Sequence, residues 1–144
     1  MFRPLTQTIF ASPQINLDDV AGAARDGFAL IINNRPEDEE PGQTPGAAIE
    51  AAAKTAGLGY VAIPVTHAGF SEPQVAAMAE ALAGSAGGKV LAYCRSGTRS
   101  TLLWALAEAS RGENPDGLQE AAAGAGYDLT SIRSLLDMLA ARAK

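Results

Sequence analysis

The sequence predicts an α/β fold, a largely parallel sheet of four to five strands with helices on both faces. Short β-branched or apolar runs bounded by turn residues recur along the chain, and longer alanine-rich segments with helical start signals lie between them. That alternation of strand and helix is what parallel pairing requires, because each crossover has to return the chain to the same edge. The 144 residues read as one domain, 1–144, with no internal repeat and no linker. A chain of this length buries about 70% of its unfolded surface, so it needs no disulfide or metal to hold a core.

Residues 8–10 (Thr8, Ile9, Phe10) read as a short edge strand. A first helix follows Asn16 as N-cap, with Asp18 and Asp19 in the first turn and Ile15 placed to staple onto Val20. Residues 28–32 form a buried strand that ends at Asn33-Asn34-Arg35-Pro36, and the acid-rich segment 37–43 is a loop. Thr44 caps a second helix with Pro45 at its first position, and Gly57 or Gly59 stops it. Residues 60–65 are the next strand. Ser71 and Gln74 then make a capping box, with Phe70 stapling onto Val75, for a helix to about residue 83. Residues 89–93 form the last and central strand. Helices are expected at 99–109 and 115–123, and from Asp128 onward Ile132, Leu135, Leu136 and Leu139 make one core-facing stripe. Trp104 and Tyr93 read as core, and Arg111 and Arg133 as solvated helix charges.

The net charge of −5 argues against nucleic acid or an anionic membrane as partner, since no basic stripe is present to neutralise phosphates. No stretch is apolar for long enough to span a membrane, and the N-terminus has no signal-peptide core, which points to a cytoplasmic protein. One cysteine and one histidine cannot build a structural zinc site without carboxylates, so neither metal nor cofactor is expected.

One segment carries chemistry: Cys94-Arg95-Ser96-Gly97-Thr98-Arg99-Ser100, between a strand and a helix. This puts Cys94 at the carboxyl end of a parallel strand, where open α/β sheets bind ligands. A loop entering a helix aims backbone N–H groups at one spot, and the helix dipole adds positive charge. With Arg95 and Arg99 nearby, the sulfur is expected to be a thiolate. Gly97 permits the tight turn. Thr98 or Ser100 is expected to cap the helix and donate to the sulfur, and Arg95, Ser96, Gly97, Thr98 and Ser100 line an anion site. Arg35 reads either as a structural partner of the acidic loop or as a further anion contact.

The loop Cys-Arg-Ser-Gly-Thr-Arg resembles that of single-domain rhodaneses, which carry sulfur as a cysteine persulfide. Across residues from about 5 to 112 the chain is more similar to another group. Ser12-Pro13-Gln14-Ile15, Ile32-Asn33-Asn34-Arg35-Pro36, Glu39-Glu40-Pro41-Gly42-Gln43, Ile63-Pro64-Val65-Thr66 and the Cys94 loop together resemble the phosphatase-like domain of the bacterial beta-lactamase-hydrolase-like family. That resemblance implies a fold like the tyrosine and dual-specificity phosphatases. It also implies two candidate activities, phosphatase and sulfurtransferase, and a pathway link to a persulfide dioxygenase.

The chain departs from the tyrosine-phosphatase signature, a cysteine followed six positions later by arginine, because that position is Ser100 and the arginine comes one residue early as Arg99. A tighter ring suits a small anion or the terminal sulfur of a persulfide. Phosphatases of this fold use an aspartate general acid, yet residues 66–72 contain none, leaving His67, or Asp38 from the acidic loop, as candidates. The residues therefore favour a sulfurtransferase taking persulfide or thiosulfate sulfur onto Cys94, with Arg95 and Arg99 neutralising the donor. Having no second cysteine, it passes the sulfur to an external thiol. The alternative is a phosphate-monoester hydrolase with Cys94 as nucleophile and Arg99 as clamp. A third reading is a non-catalytic anion-binding module.

Overall fold

The computed structural model describes residues 2–85 and 87–143. In chain order the elements are β1 (Arg3–Pro4), β2 (Ile9–Ser12), α1 (Leu17–Arg25), β3 (Phe28–Asn33), α2 (Gly46–Thr55), β4 (Gly59–Ala62), α3 (Glu72–Gly84), β5 (Lys89–Tyr93), α4 (Thr98–Ser110), α5 (Pro115–Gly124) and α6 (Arg133–Arg142), the last preceded by a 3₁₀ turn at Thr130–Ile132. The five strands lie in the order β1-β2-β5-β3-β4. All neighbours pair in parallel except the antiparallel β1–β2 edge. The α/β sheet is as expected, with β5 at its centre. The edge is not: β2 is flanked on both sides, because the chain from Arg3 to Pro4 folds back along it.

The period of two along β5 sends Val90 and Ala92 to one face and Leu91 and Tyr93 to the other. The first face packs on α3, α4, α5 and α6 through residues such as Leu103, Leu106, Leu118 and Leu136. The second packs on α1 and α2 through Val20, Ala23, Ile49 and Ala53. A bulge between Phe28 and Leu30 in β3 inserts Ala29 without a partner, which puts Phe28 on the same face as Ile31 despite a separation of three residues. Helix α4 is buried on nearly every side, including Leu103, Trp104, Ala105, Leu106 and Ala107, since it is sandwiched between the sheet and three other helices. Tyr93 and Trp104 are core residues, as expected.

Local start signals account for two helices. Asn16 and Asp19 form a reciprocal capping box at α1, and Ser71 and Gln74 form another at α3. Helix α2 differs from expectation: Pro45 rather than Thr44 stands at the cap, and the first donor, the Gly46 N–H, is satisfied from outside the helix by Glu37 Oε1 at 2.9 Å. Of the C-terminal stripe, Leu136 is fully buried and Ile132 and Leu139 pack on the core, but Leu135 is exposed. Asp128, just ahead of the 3₁₀ turn, accepts from the Thr130 N–H. Arg133, expected to be solvated, bridges Asp116 and Asp137. Among the described residues, no helix is long and apolar enough to cross a membrane.

Candidate active site

The site is built where β5 ends. The parallel ladder of β2 and β5 continues past Tyr93, so that the Cys94 N–H donates to Ser12 O and the Gln14 N–H to Arg95 O, both at 3.3 Å. These bonds hold the first two residues of the loop on the end of the sheet. Cys94 is completely buried. The chain then turns through Gly97, whose φ of 93° lies in the left-handed region that glycine alone adopts without strain. A side chain there would also run into the Tyr127 hydroxyl and ring. The result is a Gly97 N–H that donates to Cys94 Sγ at 3.1 Å, at the N-terminus of α4.

The hydroxyls divide differently from expectation. It is Ser96, not Thr98 or Ser100, whose oxygen accepts from the Thr98 N–H, at 3.3 Å. Thr98 Oγ1 lies 3.0 Å from Ser96 Oγ. Ser100 is buried and donates to Asn34 Oδ1 at 2.8 Å, while Asn34 donates to Ile63 O, tying α4 to the ends of β3 and β4. Ser100 is thus a strut beneath the loop and not a contact for an anion.

The acidic loop between β3 and α2 folds onto the arginines. Both guanidinium Nη atoms of Arg99 reach the Glu39 carboxylate, at 2.7 and 2.8 Å, and Nη1 also reaches Val65 O at 2.7 Å. Arg35 donates through Nε to Glu39 at 2.9 Å, through Nη1 to Gln14 at 3.0 Å and through Nη2 to Glu40 at 2.8 Å. With its side chain 1% exposed and its fork occupied, Arg35 cannot reach a substrate. Its role is to anchor the acidic loop, a correction to the expected anion contact. Arg95 is exposed and lies 3.5 Å from Glu40, a weak and screened pair. Three arginines thus face two glutamates here, and the surroundings of Cys94 carry about one net positive charge instead of an unopposed cationic pocket.

Glu39 is the residue that sequence reasoning missed. Asp38 beside it is exposed, in a left-handed conformation of φ 58°, and it is Glu39 that this turn sends inward. The N–H of Glu39 is held by Gln43, which also donates to Pro36 O. Hydrogen bonds from Arg99, then Arg35, pull the Glu39 carboxyl down to about 2. A carboxylate that stays ionised to such low pH is a poor proton donor, which rules it out as general acid. The low value has a consequence for stability. Because the folded value lies below the ordinary 4.5, the stabilisation is complete above about pH 5.5 and is lost as acid protonates the group down towards about pH 2. Urea unfolding at about pH 7 and about pH 3 is expected to show a loss of roughly 1–2 kcal/mol in the native chain that Glu39→Gln does not share. Equal losses in both chains would remove Glu39 as the titrating group.

His67 is exposed on the turn after Val65, two residues from the carbonyl that holds Arg99. It makes no hydrogen bond among the described residues. Tyr127 comes from the α5–α6 connection and donates through its hydroxyl to Ser96 O at 3.1 Å. Nothing in its local sequence marks it as part of the site.

The profile of the beta-lactamase hydrolase-like protein, phosphatase-like domain, matches residues 1–111. The chain belongs to that family. A beta-lactamase hydrolase-like protein from Xylella fastidiosa (strain Temecula1) is 40% identical over 104 residues, 72% of this chain and 24% of the relative, so the chain spans about a quarter of that protein's length. A Neisseria meningitidis protein of known structure, provisionally named a phosphatase, is 36% identical and superposes with a TM-score of 0.80, covering 95% of this chain and 96% of its own. Tk-PTP in its active form superposes with a TM-score of 0.75 at 19% identity, covering 98% and 97%. The fold of this phosphatase-like domain is that of the protein-tyrosine phosphatases, as the resemblance implied. The site residues from Ser12 to Ser100, the Cys94 loop included, fall inside the matched segment, whereas Tyr127 lies beyond it.

Proposed function

We propose that this phosphatase-like domain hydrolyses phosphate monoesters with Cys94 as nucleophile. The observation that carries the reading is Cys94 Sγ at the head of α4, with the Gly97 N–H at 3.1 Å, on a phosphatase fold. Three of the five N–H donors of Arg99 are engaged by Glu39 and Val65, so two remain for the Cys94 sulfur and a bound oxyanion to share. In the first step the thiolate attacks phosphorus, an S–P bond forms and the P–O ester bond breaks. The leaving alkoxide takes a proton from water or from His67. In the second step water attacks phosphorus, the S–P bond breaks and inorganic phosphate departs, returning the thiolate.

Sulfur transfer is the second reading, favoured by the loop length and by the hold of Glu39 on Arg99. Four residues separate Cys94 from Arg99, one fewer than the phosphatase signature, and a terminal persulfide sulfur needs less of the guanidinium than a phosphoryl group. Here the sulfane sulfur of a donor persulfide moves to Cys94, releasing the donor thiolate. An external thiolate then removes it, restoring Cys94.

The test pairs aryl-phosphate turnover with intact-mass analysis after incubation with aryl phosphate, thiosulfate or glutathione persulfide. Turnover together with a phosphoryl adduct on Cys94 is the expected result. A stable one-sulfur adduct without aryl-phosphate turnover would overturn the hydrolase in favour of transfer.

A further inference from the structure

The Ser96–Gly97 peptide bond is held at both ends. Its carbonyl oxygen accepts from the Tyr127 hydroxyl at 3.1 Å, and its N–H donates to Cys94 Sγ at 3.1 Å. A trans peptide unit is planar and its C=O and N–H point in opposite directions, so a group that fixes the carbonyl also aims the N–H. The phenol itself is firmly placed. Tyr127 is 7% exposed, its N–H donates to Ala122 O at 2.9 Å where α5 ends, and the Arg3 guanidinium lies 5.2 Å from its ring centroid. Its ring fills the space that a side chain on Gly97 would need. Burial raises the Tyr127 phenol above its ordinary value, so it remains a donor through the neutral range.

We propose that Tyr127 is a positioning residue for the Cys94 nucleophile: by holding Ser96 O it aims the Gly97 N–H at the sulfur and so favours the thiolate. The inference rests on the reading of Cys94 as nucleophile, for either chemistry. It assigns a site function to the segment after α5, beyond the residues that the family profile matches. A donor aimed at an anionic sulfur stabilises the charged form relative to the thiol, and the stabilisation is lost if the peptide is free to rotate.

The charged and titratable groups around the sulfur are Arg95 in the loop and Arg99 from α4, with Glu39, Glu40 and Arg35 behind them, Tyr127 from the α5–α6 connection, and Arg3 over the Tyr127 ring. Tyr127→Phe leaves all the charges in place. It also keeps the ring against Gly97 and Arg3, so it removes the hydroxyl bond alone.

The decisive measurement is the second-order rate of Cys94 carbamidomethylation in the native chain and in Tyr127→Phe. The variant is expected to react about 3–10-fold more slowly at about pH 7, with the two rates converging at about pH 10. On an aryl phosphate kcat should fall by a similar factor with KM within about twofold. Superimposable alkylation profiles would overturn the proposal. So would a deficit that persists undiminished at alkaline pH, since that marks lost access to the sulfur and not lost aim. Alkylation needs no turnover, and the hydrolase reading fails separately if the native chain does not cleave aryl phosphate.

Discussion

Cys94→Ser is expected to lower kcat on an aryl phosphate by about 10³–10⁶-fold, the range for removal of a covalent nucleophile. A serine hydroxyl is not ionised at neutral pH, and among the described residues the groups that contact Cys94 include no free base: the Gly97 N–H and Arg99 are donors, and Glu39 is tied to two guanidinium groups. Nothing else in the Cys94 loop is removed, so on the proposed reading the variant should still bind inorganic phosphate or vanadate within a few-fold of the native chain. The fold should survive as well. Serine at this fully buried position can accept the Gly97 N–H that the sulfur accepts now, which keeps that donor paired and holds the stability change to about 1–2 kcal/mol. The measurements are initial rates, oxyanion titration and thermal unfolding on the same preparation. Activity within about tenfold of native, with the fold intact, would exclude Cys94 as nucleophile for hydrolysis and leave an anion-binding role.

Features that rest on near neighbours were legible in the sequence. The capping boxes of Asn16 with Asp19 and Ser71 with Gln74 close over three residues, and the apolar run at 89–93 marks a central strand by composition alone. The Cys94 loop was equally plain, because its glycine, hydroxyls and arginines follow one another directly. The features that escaped act across the fold. Glu39 meets Arg99 sixty residues away, and in sequence it is one of four acids in a row of otherwise equivalent carboxylates. Glu37 serves the start of α2 from nine residues upstream, which displaced Thr44 from the cap. Tyr127 reaches Ser96 only because Gly126, at φ 92°, ends α5 with its chain turned back towards the sheet. One signal was available for the first of these. An arginine next to an apolar strand end, followed by four acids within five residues, implies a buried guanidinium seeking carboxylates, and that is what Arg35 is.

Arg35→Met should be the most destabilising single change at this site, by about 2–4 kcal/mol in urea unfolding. Methionine keeps the apolar stem against its neighbours, so the loss reports the guanidinium. That group joins two segments: Gln14 after β2, and Glu39 and Glu40 in the acidic loop. Removing the charged partner from a buried pair ordinarily costs about 3–5 kcal/mol, because the carboxylate left behind remains desolvated. Two circumstances moderate it here. Glu40 is 43% exposed and returns to water, and Glu39 keeps both bonds from Arg99. Arg95→Met is the internal comparison. It removes an exposed guanidinium 3.5 Å from the same Glu40, and its effect should stay below about 0.5 kcal/mol. If the two variants unfold at the same urea concentration, the Arg35 cluster is no stronger than a surface pair and the acidic loop is held by other means. If Arg35→Met is the weaker fold by the expected margin while its kcat stays within a few-fold of native, the arginine anchors Glu39 without touching the substrate, as its burial requires.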